Sequence, residues 1–207
     1  MSTARRPTGW SGLAARIGAA LFLRGGRRRR MAWLFRAVFD LLRGTETVLD
    51  LGCGSGFLTL PVAERLPRGR VVAVDVSREM LERLTEEAAA RGLLERVLPL
   101  RAAAHRTGLA ETTVHVAVSS HLLHELEDPE AVFREVHRVL VPGGWGVFAD
   151  FRHGLLLGRI IRMRHSAEAH GPYRPGTLAE ALTAAGFAGV RVEKKGQRLL
   201  ALFRKPS

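Results

Sequence analysis

Apolar residues fall along this chain in two alternating patterns, short continuous runs and longer stretches of helical spacing. The runs lie at 47–51, 70–75, 96–100, 113–119, 144–150, 189–195 and 198–204. Their length and their valine and leucine content predict strands, the first ones covered on both faces. Between them, apolar positions return every three or four residues over 57–66, 78–91, 129–139 and 176–185, which predicts helices. In 78–91 the apolar side is Met80, Leu81 and Leu84, with Ser77 as N-cap and Gly92 as stop. Residues 31–42 add a further helix, with Met31, Leu34, Phe35, Val38, Leu41 and Leu42 on one side and Arg36 and Asp40 opposite. The last two strands, parted by Gly196-Gln197, read as a hairpin. Alternating strand and helix imply an α/β fold, a doubly wound, mostly parallel sheet with right-handed crossovers and helices on both faces.

One junction carries chemistry. The first strand breaks at Asp50-Leu51-Gly52-Cys53-Gly54-Ser55-Gly56 into a glycine-rich turn that opens a helix. Glycine lets backbone turn sharply and approach a ligand closely, and the N–H groups that begin a helix face the turn. Asp75, nineteen residues beyond Gly56, ends the second strand. A carboxylate there can accept both hydroxyls of a ribose. The dinucleotide fingerprint G-x-G-x-x-G/A, counted from Gly52, puts its third small residue on Phe57, so that reading fails.

The run D-x-G-x-G-x-G from Asp50 to Gly56 resembles the first motif of the class I S-adenosylmethionine (SAM) methyltransferases, and Asp75 matches the acidic residue of their second strand. A third block, His124-Glu125-Leu126-Glu127-Asp128-Pro129, then Phe133 to Leu140, then Val141-Pro142-Gly143-Gly144, resembles the subgroup that includes the ubiquinone and menaquinone C-methyltransferases. The resemblance covers roughly residues 45 to 204. It implies a seven-stranded Rossmann-like sheet of order 3-2-1-4-5-7-6 with the last strand antiparallel. It also implies SAM as cofactor, S-adenosylhomocysteine as product, and methyl transfer to a small-molecule acceptor. Residues 1–44 then form a basic N-terminal helical extension, a lid or acceptor-site wall, and residues 45–207 the SAM-dependent domain.

On that resemblance Asp50, Gly52, Cys53, Gly54 and Gly56 bind the cofactor at the turn, Asp50 meeting the ammonium directly or through water. Asp75 holds the ribose, while Val76 and Met80 flank the adenine. Where the family places an acid after the third strand, this chain has Ala102-Ala103-Ala104 with His105 beside it. Ala103 and Ala104 are therefore expected at the adenine through backbone groups or His105. Ser119, Ser120 and His121 stand at the end of the fourth strand, where the methyl group lies; Ser119 is expected on the cofactor. His121 is expected as the catalytic base, or else as pocket lining. His124, Asp150, His170 and Tyr173 are candidates for the acceptor side, with the loop 151–176 setting specificity. H-L-L-H-E lacks the order of H-E-x-x-H, so no metal is expected.

Composition narrows the setting. The net charge is +12, and only three of the 32 basic residues are lysine. Arg24 and Arg27–Arg30 make a dense cluster that reads as a solvated face or substrate lid, with weak membrane-surface contact as the next reading. The single cysteine excludes an internal disulfide and fits a reducing, cytoplasmic setting. Leu13–Leu23, interrupted by Arg16, is too short to span a bilayer. Nucleic acid is disfavoured as a partner, because Ser119-Ser120-His121-Leu122 replaces the N/D-P-P-Y/F block of amino-directed enzymes and Cys53 is committed to the turn. RNA or protein methylation, and SAM binding without transfer, remain the alternatives; a homodimer is compatible with all of them.

Overall fold

The computed structural model describes residue 29, residues 31–152 and residues 173–207. His165, His170, the Leu13–Leu23 stretch and Arg24, Arg27, Arg28 and Arg30 lie outside the described residues. The chain runs α1 (Ala32–Phe39), β1 (Thr47–Leu51), α2 (Thr59–Ala63), β2 (Arg70–Asp75), α3 (Arg78–Ala90), β3 (Val97–Arg101), β4 (Val114–Ser120), a 3-10 turn (Leu123–Glu125), α4 (Pro129–Val139), β5 (Leu140–Phe151), α5 (Pro175–Ala184), β6 (Ala188–Lys195) and β7 (Arg198–Arg204). The strands form one sheet of order β3-β2-β1-β4-β5-β7-β6, with β7 antiparallel to both its neighbours. This is the Rossmann-like order the sequence implied.

The pleat explains how the sheet is covered. Val48, Val71 and Ala73 point into a core layer with Met31, Leu34, Phe35 and Val38 of the α1 region and Leu81, Leu84 and Ala88 of α3. Leu49, Leu51, Val72 and Val74 point to the other layer, against Val132, Phe133 and Val136 of α4 and Leu178 and Leu182 of α5. Alternate residues thus feed opposite cores, as in any parallel sheet buried on both faces. The edges are guarded differently. β3 carries Pro99, tolerated on an edge because its missing N–H breaks no inner ladder. β6 carries Arg191, Glu193, Lys194 and Lys195, charges that discourage a further strand from adding on.

Three elements differ in extent from the sequence reading. Regular α2 is only Thr59–Ala63, flanked by turns in which Gly56 N donates to Cys53 O and Arg65 N to Val62 O. Pro61 has no N–H, so the element is a short turn of helix and not the ten-residue one expected over 57–66. β5 begins at Leu140, four residues early, because the ladder with β4 skips across an irregularity from the Val114–Leu140 pair to the Val116–Trp145 pair. There Gly143, at φ +75°, donates to Lys205 O, and the apparent turn Pro142-Gly143-Gly144 is absorbed into the strand. The helix expected over 31–42 is regular only over Ala32–Phe39, and its apolar side is buried in the core. No helix among the described residues is long and apolar enough to cross a membrane.

Gly146 on β5 faces Phe203 of β7, and a Cβ there would overlap the Phe203 ring. That ring is fully buried and stacks edge-on against Phe148 at 5.1 Å, so it has little room to turn. Gly146→Ala should lower stability by roughly 1–3 kcal/mol through overpacking. Gly176→Ala, where the added Cβ meets nothing within 4 Å, is the control and should be near neutral. Urea unfolding of both variants reads the difference; equal midpoints would mean the ring yields.

Candidate functional site

At the carboxyl end of β1 the chain leaves the sheet through Gly52, Gly54 and Gly56, whose φ angles are +67°, +53° and +93°. These left-handed values are costly for any residue with a Cβ. Gly52 N and Cys53 N both donate to Val74 O, at 2.9 and 3.0 Å, which stitches the turn to the end of β2. The three glycines differ in what surrounds them. A Cβ at 52 would press on Leu122 at 3.0 Å, and one at 56 would press on Leu84 and Leu60. Gly56 therefore permits close packing of the turn on α3. At Gly54 an added Cβ would meet nothing within 4 Å; this glycine offers a bare backbone to open space.

That space is a cavity of about 430 Å³ lined from β1, β2 and β4 and the segments that follow them. The sheet order reverses between β1 and β4, the place where open α/β sheets bind ligands. Asp50, Gly52, Cys53, Gly54, Asp75, Val76, Met80, Ala103, Ala104 and His121 all line it, together with His105. Gly56 and Ser119 do not line it. Ser119 is turned into the sheet instead, its Oγ donating to Leu51 O at 3.0 Å.

Two carboxylates dominate the side of the cavity beside the turn. Asp75 Oδ2 accepts from Gly54 N at 2.9 Å and Oδ1 from Ser77 N at 2.9 Å, so the turn, the carboxylate and the start of α3 form one unit. Asp50 is 1% exposed and accepts from Thr59 Oγ1 at 2.5 Å. Burial pushes its carboxyl up to about 7; the Thr59 hydroxyl opposes that, and the charge of Asp75 adds to it. Burial also raises Asp75, against the N–H groups of Ser77 and Gly54. Burial raises the Cys53 thiol too, with both carboxylates adding to it, so it is an inert filler of the turn. Between the usual carboxylate range and about 7, folded Asp50 keeps a proton that the unfolded chain releases. Its contribution to stability therefore falls as pH rises through that window. A cation bound beside it would reverse this.

The walls share one sign. Glu125, Glu127 and Asp128 join Asp50 and Asp75 in the lining, and no lysine or arginine among the described residues does. In a chain of net charge +12, this acid-lined cavity suits a cationic ligand and offers a pyrophosphate no lysine or arginine among the described residues.

The far side is built from the ends of β4, β5 and β7. His121 follows β4 at φ +63°, an uncommon conformation for a non-glycine residue, held by its N–H to Ala149 O at 2.8 Å. Arg198 Nε donates to His121 Nε2 at 3.0 Å, and the ring's Nδ1 lies 2.8 Å from Ser120 Oγ. In this arrangement the Nε2 lone pair that a base would use accepts from a guanidinium. Phe151 sits beside the pair, 4.6 Å from the His121 ring and 5.5 Å from the Arg198 guanidinium.

The other acceptor-side candidates lie behind the lining. His124 is 4% exposed, and its Nδ1 meets Asp150 Oδ1 at 2.6 Å. Asp150 also accepts from His124 N at 3.3 Å and Phe151 N at 2.5 Å. Burial disfavours both charged forms, yet the pair overrides it, with the His124 imidazole raised and the Asp150 carboxyl lowered. His124 and Asp150 thus hold each other and do not line the cavity. Tyr173 is packed in the core near Phe133, its hydroxyl donating to Glu130 at 3.0 Å. Burial, and after it Glu130, raises its phenol well above the usual range. The carboxylates of 125–128, Thr59 behind Asp50, and Arg198 with Phe151 went unassigned in the sequence reading. Only the acidic run had a local signal, its charge beside the end of β4.

A family model described as a methyltransferase domain matches residues 48–144. The ubiquinone/menaquinone biosynthesis C-methyltransferase of Desulfotalea psychrophila is 30% identical over 174 residues, covering 73% of this chain and 69% of that protein. Against two further relatives the chain spans only 50% and 54% of their length. Among solved structures, a SAM-dependent methyltransferase from Aquifex aeolicus superposes with a TM-score of 0.71 at 23% identity, covering 91% of this chain and 96% of that one. The Haemonchus contortus phosphoethanolamine N-methyltransferase 2, in complex with phosphomonomethylethanolamine and S-adenosylhomocysteine, gives 0.74 at 18% identity, covering 88% and 54%. With the glycine turn, its paired carboxylates and the sheet order all in place, the chain belongs to the class I SAM-dependent methyltransferases.

Proposed function

We propose that this protein transfers the methyl group of SAM to a small-molecule acceptor. The observation that carries the reading is the acid-lined cavity beside the glycine turn, open at Gly54 and free of lysine and arginine among the described residues. Bound SAM would supply a methyl group already made electrophilic by a sulfonium. The chain's own part is to bind, orient and desolvate. Asp75 would accept from the ribose hydroxyls, as its hydrogen bonds to Gly54 and Ser77 fix its plane at the end of β2. Asp50 would face the ammonium. Val76, Met80, Ala103 and Ala104 would flank the adenine, with His105 and backbone groups replacing the acid the family usually has there.

No base is assigned. Proximity in a dry cavity can supply most of the acceleration of an in-line displacement. Phe57, Leu58, Leu122 and Leu126 contribute apolar lining, which suits an acceptor with apolar surface. The relative named as a ubiquinone/menaquinone C-methyltransferase supports such an acceptor. Residues 1–44 as a lid, and a weak lipid contact through Arg24 and Arg27–Arg30, belong to the same reading. Anionic vesicles are the test of that contact.

Two binding measurements test the placement. Asp75→Ala should weaken S-adenosylhomocysteine at least tenfold by calorimetry, since hydrogen bonds to a charged group contribute about 1.5–3 kcal/mol. Unchanged affinity would remove Asp75 from the ribose. The second reads Asp50, whose carboxyl stands at about 7 in the free protein. An ammonium beside it binds the ionised form, so affinity should rise about tenfold from pH 5.5 to 7, below the range where an α-amino group itself titrates. Asp50→Asn should flatten that profile and lower affinity at pH 7. A flat wild-type profile would separate Asp50 from the ammonium.

A further inference from the structure

Arg198, His121 and Ser120 form a chain of hydrogen bonds whose direction is fixed by chemistry. A guanidinium only donates, and Arg198 Nε lies 3.0 Å from His121 Nε2. His121 Nε2 must therefore be the acceptor, and the ring's proton sits on Nδ1. Nδ1 lies 2.8 Å from Ser120 Oγ, so the imidazole donates and the hydroxyl accepts. A serine hydroxyl has one proton of its own to give. Among the described residues His121 is the only hydrogen-bond partner of Ser120 Oγ, and Ser120 lines the cavity.

We propose that Ser120 is the residue that meets the methyl acceptor, its hydroxyl donating to an acceptor oxygen, and that Arg198 and His121 are positioning residues that aim it. This rests on the methyl-transfer reading above and names the substrate class for the same site. The acceptor presents an oxygen lone pair beside the atom that is methylated, as a phenolate, an enolate or a carboxylate does. A protonated amine offers only donors, so the one proton Ser120 has to give would go unused.

The surroundings serve this aim. Antiparallel pairing sets Phe151 of β5 opposite Arg198 of β7, which brings the guanidinium to the carboxyl end of β4. Phe151 then packs edge-on to His121 at 4.6 Å with the Arg198 guanidinium 5.5 Å from its ring. His121 adopts φ +63° and is 8% exposed. Left-handed backbone at a bulky residue persists only where neighbours over-determine it. Here they do, through Ala149 O, Ser120 and Arg198.

The test uses the full chain with histidine labelled in 15N. Long-range 1H–15N spectra at pH 7, with His121→Gln to assign the signals, should show the His121 proton on Nδ1 and none on Nε2. Arg198→Gln should release the ring, giving an Nε2–H form or a titrating imidazolium, and Arg198→Lys should restore the wild-type pattern. A wild-type His121 that is cationic, or protonated on Nε2, at pH 7 overturns the inference. Binding of 4-nitrophenolate to protein saturated with S-adenosylhomocysteine reads the donor. Ser120→Ala should weaken it about tenfold, near 1.4 kcal/mol, while Ser120→Thr keeps it. Equal affinity in wild type and Ser120→Ala, including none in either, also overturns it. Failure to bind S-adenosylhomocysteine at all would count instead against the methyl-transfer reading.

Discussion

The hydrogen bond from Gly54 N to the Asp75 carboxylate, 2.9 Å long, is the link on which the site depends. It joins the turn after β1 to the end of β2, and it relies on the left-handed backbone at residue 54, which glycine adopts without strain. The same turn sets Asp50 and Asp75 on one cavity, where burial, and after it the charge of Asp75, makes that of Asp50 harder to hold. Free Asp50 answers by keeping its proton up to about 7. No lysine or arginine among the described lining residues offsets the two carboxylates.

The sheet is the frame that makes the far wall possible. Ser120 and His121 end β4, Asp150 and Phe151 end β5, and Arg198 opens β7. These residues stand far apart in sequence and meet because β7 returns antiparallel along β5, so that its first residue reaches the same edge as the last residues of two parallel strands. The buried His124–Asp150 pair lies behind this wall. Its desolvation cost is offset by a 2.6 Å imidazole contact and two backbone N–H groups on one carboxylate. It fixes the 3-10 turn against β5, and with it the backbone on which Glu125 faces the cavity.

The core explains why this geometry is stiff. Val48 and Leu49 feed opposite layers, as do Val71 and Val72, so a one-residue slip of either strand would turn each to the wrong face. Gly56 lets Leu84 and Leu60 close behind the turn, and Gly146 lets Phe203 lie flat on β5. Register and close approach act together here: the glycines that look alike in the sequence differ in role according to what packs against them.

Local chemistry was legible in the sequence. Apolar runs and helical spacing set the strands within a residue or two for most of the sheet, because burial on both faces demands continuous apolar residues. The spacing of Gly52, Gly54 and Gly56 and the carboxylates at 50 and 75 marked the turn that opens onto the cavity, because a turn of this kind tolerates few alternatives. Limits appeared where a contact joins distant positions. Nothing near His121 reveals that Arg198, 77 residues away, occupies the nitrogen a base would need. Nothing near Tyr173 or Asp150 reveals that Glu130 and His124 claim them first. A side chain's chemistry is written in its identity, but its protonation and its direction are set by partners that only the register of the folded sheet brings within hydrogen-bonding distance.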